Sequence, residues 1–273
     1  MFKAFKYRLY PTVPQADKIN QNIGCARFVY NQLLDDRIKV YHETKQRSKK
    51  TYCDLKKEYA FLKEADSRAL LNARENLDAA YDKFFKESNA GFPKFKSKHK
   101  CRWSYTTDNN NGTVRFDGNR IRLPKVGYVK VVEHRLHEGR IISATISHER
   151  SGEYYASVLC EIEQPKSLPV TDKVVGIDLG LHNIIVCSDG ERVPSPKYFR
   201  KSEQKLAKIQ RAFSRTQKGS NGHEKARLKV ARCHQKIKNQ RNDFLAKVVH
   251  QTHSRKPSDL FGRPFRQRPG TKP

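Results

Sequence analysis

Charge constrains this sequence more than any other feature. The 273 residues carry 56 Lys and Arg against 28 Asp and Glu, a net +28, with an isoelectric point near 10.0. A folded chain must spread such charge over outward faces, where it repels itself until a polyanion meets it. Nucleic acid and an anionic membrane surface are the common polyanions. No run approaches the roughly 18 apolar residues of a membrane span. Met1–Tyr10 alternates basic and aromatic residues without the apolar stretch of a signal peptide, so no membrane partner is expected.

The charge is unevenly placed. Residues 201–250 hold 14 basic and 3 acidic residues, whereas residues 151–200 hold 5 basic and 7 acidic, and that exceptional segment contains Asp178. The six cysteines, Cys25, Cys53, Cys101, Cys160, Cys187 and Cys233, have wide spacings and no C-x-x-C pair. That pattern fits free, buried thiols in a reducing cytoplasm, and it cannot supply the two close ligand pairs of a zinc ribbon.

Periodicity divides the chain. Phe5, Tyr7 and Leu9 alternate with Lys6 and Arg8 up to Pro11, which predicts a strand with one basic, wet face. Helical stripes follow through Ile19, Ile23, Ala26, Tyr30 and Leu33, then through Tyr52, Leu55, Tyr59 and Leu62. A third runs from Ser67 through Leu70, Ala73, Leu77, Ala80 and Phe84, with Gly91 closing the helical part. A β-rich stretch begins at Gly91. It contains a hairpin around Asp117-Gly118-Asn119 and strands at Val126–Val132, Ile141–Ser147 and Tyr154–Ile162. This predicts an α+β fold: an N-terminal nucleic-acid-binding lobe over 1–165, helical over about 12–90 and β-rich in the remainder, with Pro165–Pro169 as linker.

Beyond the linker, Lys173–Asp178 and Ile184–Cys187 read as adjacent strands, the second turning at Asp189-Gly190. Two basic helices follow, probing one face each: Phe199, Leu206, Ile209 and Phe213, then, after Ser220-Asn221-Gly222, the residues Ala226, Val230, Cys233, Ile237, Phe244 and Val248. Residues 252–273, with four prolines and no period, are expected to be disordered.

Three groups carry candidate chemistry. Asp178 ends an apolar run ahead of Gly180, where a carboxylate can hold a divalent metal beside a sheet but more often caps a turn. Lys201, Lys205, Lys208, Arg215 and Lys218 lie largely opposite the first helical stripe, either tracking phosphates or forming a solvated face. Lys94, Lys96 and Lys98 alternate with Phe95 near Trp103 and Tyr105. They combine phosphate contact with base stacking, or else form the wet side of a strand whose aromatics are core.

Several ordered segments resemble the TnpB (OrfB-type transposase) family. They are the basic strand Lys3–Pro11, the helix containing Ala26–Asn31, the segment Gly91–Lys98, the octapeptide Gly176–Asn183 and the basic helix running from Lys225 to Leu245. The resemblance covers residues 2 to about 251. It implies a ribonuclease-H-like (RuvC) α/β domain over 170–251 with Asp178 as its first metal-binding carboxylate. It also implies guide RNA and DNA as partners and magnesium as the metal.

In the family a later Glu and Asp complete the site, with a four-cysteine zinc ribbon between them, and none of these follows residue 251 here. The RuvC domain is therefore expected to be incomplete. The chain is expected to be truncated and cleavage-deficient, with magnesium not productively bound and no zinc site. Half of a split nuclease completed by another chain, and a structural RNA-binding protein, stay open. The oligomeric state has no signature in the sequence.

Overall fold

The structure, a computed structural model, describes residues 1–98, 101–132, 137–164 and 175–255, with side chains to residue 250. The expected linker at 165–169 and residues 256–273 of the expected disordered tail lie outside the described residues. The chain divides into two compact units, Met1–Gln164 and Pro165–Pro273. The first unit mixes helices with an antiparallel sheet.

The first unit begins with β1 (Phe2–Tyr10), in which Phe5, Tyr7 and Leu9 are buried while Lys6 and Arg8 face outward, as the alternation predicts. Pro11 ends the strand, and Thr12 starts α1 (Val13–Thr44), its N–H donating to Gln15 Oε1 at 3.0 Å. The predicted stripe Ile19, Ile23, Ala26, Tyr30 and Leu33 is buried along α1.

The second predicted helix is broken. α2 (Tyr52–Glu58) stops at Tyr59, whose backbone is extended, and a 3-10 turn follows at Ala60–Lys63. A straight helix would point Phe61 away from the face that buries Leu55. The break instead brings Tyr59 and Phe61 edge-on to Phe28, with ring centroids at 4.9 and 5.3 Å.

α3 (Ser67–Lys86) is capped by Asp66, which accepts from the Arg68 N–H at 3.1 Å. The Asp66 N–H donates to buried Asn22 at 2.8 Å, tying the start of α3 to α1.

The strands are β2 (Trp103–Asp108), β3 (Arg115–Asp117), β4 (Arg120–Leu123), β5 (Gly127–Val132), β6 (Arg140–His148) and β7 (Tyr154–Glu161). With β1 they form one seven-stranded sheet in the order β2-β6-β7-β1-β5-β4-β3, with antiparallel pairing between neighbours. Its inner face, including Tyr7, Ile121, Val129, Ile146 and Val158, joins Ile19, Leu33, Leu70 and Leu77 of α1 and α3 in one core. Gly139, at φ +77°, leads into β6 where a Cβ would overlap the Glu161 carbonyl oxygen.

The second unit holds β8 (Ile177–Asp178), β9 (Asn183–Cys187) and β10 (Arg192–Pro194) in an antiparallel sheet of order β10-β9-β8. It continues with α4 (Tyr198–Ser214) and α5 (Asn221–Arg255), which pack on each other as a hairpin. α5 runs through Arg255, four residues into the segment expected to lack structure. Ile185, Cys187 and Val248 form the buried centre, with Phe244 and Val193 against it. No helix among the described residues is long and apolar enough to cross a membrane.

Candidate nucleic-acid interface

Strand register assembles basic side chains that are far apart in sequence. Directly opposed residues on neighbouring antiparallel strands share a face. Tyr10 opposes Lys130, which opposes Arg120; Tyr128 opposes Arg122, which opposes Arg115. These two rows cross β1, β5, β4 and β3 on the outer face of the sheet, and every member is exposed. The Arg115 guanidinium donates to the Tyr128 hydroxyl at 2.9 Å, while Arg120, Arg122 and Lys130 make no ion pair among the described residues.

The face continues along β1. Arg8 pairs with Glu153 at 2.9 Å, and the Lys6 ammonium lies 4.2 Å from the centre of the Tyr155 ring. Burial, reinforced by a 2.6 Å bond to Glu153, pushes the Tyr155 hydroxyl up to about 12. Cations interleaved with aromatic rings suit a phosphate backbone with accessible bases. From the sequence, the alternation of Lys6 and Arg8 with Phe5, Tyr7 and Leu9 marks the basic side of β1. The same period of two, Arg120/Arg122 against Ile121/Leu123, was the signal available for the rest.

A cavity of about 300 Å³ opens between α1, α3, β2 and the residues Lys96, Cys101 and Arg102. Its lining includes Arg27, Asn72, Asn76, Arg102 and Tyr105. Asn72 is held by Asp108 at 3.0 Å. Arg27, Asn76 and Arg102 make no side-chain hydrogen bond among the described residues, and neither does the fully buried Tyr105 hydroxyl, whose pKa burial drives far upward. Amide and guanidinium groups without internal partners are the donor and acceptor set that reads base edges.

The segment 91–98 forms no strand. Lys94 and Lys98 are exposed, and so are Phe92 and Phe95, while Pro93 is buried. Lys96 turns inward: its ammonium sits 3.8 Å from the Tyr30 ring centre, and its backbone N–H and carbonyl both bond Asn31, at 2.8 and 2.9 Å. Burial lowers the Lys96 pKa. Neither an aromatic core face nor an unbroken row of outward lysines exists here. A repeated pair of backbone bonds to one asparagine overrides the alternation.

On α4, Lys201, Lys205, Lys208, Arg215 and Lys218 are all exposed, the last two just beyond its end, and none is ion-paired among the described residues. Leu206 is buried, with Ile209 and Phe213 half-buried beside it. Phe199, expected on this stripe, is exposed instead. Tyr198 takes the inward position, 6.2 Å from Phe244, and Tyr198, Ser202, Leu206, Ile209 and Phe213 keep the helical spacing.

Asp178 stands exposed at the end of β8, opposite Val186. Among the described residues, one group of three possible ligands lies within 4.8 Å, namely Cys187, Asp189 and Glu191, and it excludes Asp178. Two magnesium ions need several anchoring carboxylates on different elements. The described residues gather no such set around Asp178, and so they do not fit a two-metal centre.

Outward rows of cations on a sheet and a helical hairpin define a protein built to meet a polyanion. The sequence agrees on the lineage. Residues 1–46 match a helix-turn-helix domain of the OrfB family, and residues 157–254 match the family's "Probable transposase" profile. The chain belongs to the TnpB/OrfB transposase family. A Streptomyces pristinaespiralis protein named "Putative RNA-guided DNA endonuclease" is 36% identical over 256 residues, covering 90% of this chain and 63% of the relative. The Escherichia coli K12 protein "Putative RNA-guided DNA endonuclease InsQ" is 30% identical over 263 residues, covering 90% and 62%. The chain thus spans under two thirds of these relatives' length. A solved CRISPR-Cas12f ternary complex superposes with TM-score 0.37 at 12% identity, over 88% of this chain and 59% of that one.

Proposed function

We propose that this chain is an RNA-guided DNA-binding protein of its transposase family that holds a guide RNA and a DNA target in the cytoplasm without cutting the DNA. The unpaired charge of the helical hairpin carries this reading. Of the 14 basic residues in 201–250, only Arg227 and Lys247 are ion-paired among the described residues, to Glu224 and Asp243. Solubility does not require such an excess on one hairpin, whereas tracking a phosphate backbone does.

In this mechanism base pairing between guide and target supplies sequence selection, and the protein contributes backbone contacts and recognition of a short duplex motif. α4 and the outer sheet face supply the phosphate contacts. The cavity of Arg27, Asn72, Asn76 and Arg102 supplies base-edge donors and acceptors for the duplex. In this reading the second unit takes the place of the family's ribonuclease-H-like domain, and the described residues gather no further carboxylates around Asp178, which supports binding without hydrolysis.

The test is to sequence RNA that copurifies with the chain, then offer that RNA, magnesium and matching duplex DNA. Guide-dependent binding without cleavage is expected, with Asp178→Ala leaving both unchanged. Guide-dependent cleavage abolished by Asp178→Ala would overturn the binding-only reading. Copurified RNA unrelated to mobile-element ends would favour a structural RNA-binding protein.

One observation favours a second reading, a nuclease completed by further polypeptide. β8 is an edge strand of two residues, and Leu179 and Leu181 beside it are 73% and 93% exposed. Edge strands and exposed leucines invite another strand. Restored cleavage when the remaining family segment is supplied in trans would establish it.

A further inference from the structure

Away from the cavity and sheet face already described, the first unit carries two neighbouring depressions that share Arg37, Arg47 and Ser48. One, of about 490 Å³, is lined by Arg37, Arg47, Lys49, Lys50 and Arg74 with Ser48 and Thr51, and no carboxylate among the described residues lines it. Three of its guanidiniums converge on one anion. Arg37, Arg47 and Arg74 all pair with the Asp78 carboxylate, Arg47 at 3.4 Å and Arg74 at 3.5 Å. One negative charge pairs with three positive ones here, and the nearby carboxylates Asp36, bonded to Ser48, and Asp82, in the neighbouring lining, have no ion pair with these arginines among the described residues. Lys49 adds a further positive charge without an ion pair among the described residues, and Lys50 is held by Glu58 at 2.9 Å.

The other depression, of about 650 Å³, is aromatic. Tyr41, Tyr81, Phe84, Phe85 and Phe92 line it between the C-terminal parts of α1 and α3. The rings meet mostly edge to face: Phe92 lies 5.6 Å from Tyr81 and 5.5 Å from Phe84. Phe85 is 76% exposed and Tyr41 58%. Arg37 joins the two depressions, since its guanidinium pairs with Asp78 and also lies 5.3 Å from the Tyr81 ring centre.

An aromatic groove without charge complementarity would suit an apolar peptide. This one opens beside a surplus of guanidinium charge on a chain of net +28. A flat apolar ring carrying a phosphate satisfies both depressions at once. RNA presents unpaired bases for stacking on aromatic side chains and arginine planes from the outset, whereas target DNA arrives stacked in a duplex and exposes bases only after its strands separate.

We propose that the two depressions form one subsite for an unpaired nucleotide of a bound RNA, the base entering the aromatic groove and its phosphate facing the arginine cluster. This rests on the reading of the chain as RNA-binding and names where an unpaired base is held.

The experiment uses the full chain and a short unstructured RNA carrying a fluorescent adenine analogue whose emission is quenched on stacking. The wild type is expected to bind, quench the probe, and prefer the RNA over DNA of the same sequence. Phe85→Ala combined with Phe92→Ala should weaken binding about ten-fold and remove the quench, at an unchanged salt dependence. Phe85→Tyr, which keeps a ring, should retain the quench. Arg47→Gln combined with Lys49→Gln should flatten the salt dependence by roughly one to two contacts. Melting temperatures establish that the variants fold, as the exposure of Phe85 leads one to expect.

Aromatic variants that bind and quench like the wild type overturn the subsite, even where wild-type binding is tight and salt-sensitive. Equal affinity for the DNA strand overturns the choice of RNA. A wild-type chain that binds no RNA at low salt overturns the subsite and the wider RNA-binding reading together.

Discussion

The two units hold their structure by different means. In Met1–Gln164 a seven-stranded sheet and two long helices share one core, and Leu33, Leu34, Leu55, Leu70 and Leu77 are at most 1% exposed. In the second unit the described buried cluster centres on Ile185, Cys187 and Val248, while the long basic helices keep most of their surface in water. Buried apolar area is the main favourable term in folding. Among the described residues the first unit therefore has the larger buried apolar core, whereas the second places much of its sequence in outward charge.

The largest effect expected from this contrast is on binding. Raising salt from about 50 to 200 mM should weaken nucleic-acid affinity by orders of magnitude, since each phosphate contact adds about 0.9 to the salt slope. Converting Lys201, Lys205, Lys208, Arg215 and Lys218 to Gln should lower that slope by up to about 4.5. Converting Arg120, Arg122 and Lys130 on the sheet should lower it by up to about 2.5. Neither set touches a core residue, so melting temperatures should hold. An affinity indifferent to salt, or unmoved by the α4 set, would break the assignment of charge to the second unit.

Next comes stability. Leu70→Ala in the first unit should cost about 2–5 kcal/mol in urea unfolding, because a fully buried leucine leaves a cavity. Leu206→Ala, on a helix packed from one side, should cost less than half as much. Equal costs would mean that the second unit has a core as rigid as the first.

Backbone devices follow. Gly139→Ala should destabilise the first unit by more than about 1 kcal/mol, through a positive φ and the overlap with the Glu161 carbonyl. Asp66→Ala should cost about 1–2 kcal/mol through loss of the α3 cap. The smallest effect belongs to Asp178. Its exposure and its lack of an ion pair among the described residues put Asp178→Ala within about 0.5 kcal/mol of the wild type by thermal melting. A larger loss would show that its carboxylate holds the β8 edge in place.

Local periodicity made most elements legible, because a strand or helix repeats its burial every two or 3.6 residues whatever surrounds it. β1, the hairpin at Asp117-Gly118-Asn119, the stripe of α1 and the α4–α5 hairpin are all written this way. The failures fall where a distant group intervenes. Phe28 breaks the helix at Tyr59, Asn31 captures the backbone of Lys96, and Phe244 draws in Tyr198 where Phe199 was expected. β10 escaped notice because three residues are too few to show a period.

The sequence by itself determined a large positive charge, since net charge survives any folding, and ordered motifs determined its family. Tertiary structure alone decided which cations act together. Arg120 with Lys130, Arg115 with Arg122, and Arg37 with Arg47 and Arg74 around Asp78 become neighbours only through strand register and helix packing. The reason is physical: charge is additive along a chain, but the field at a site depends on distances that non-local contacts set.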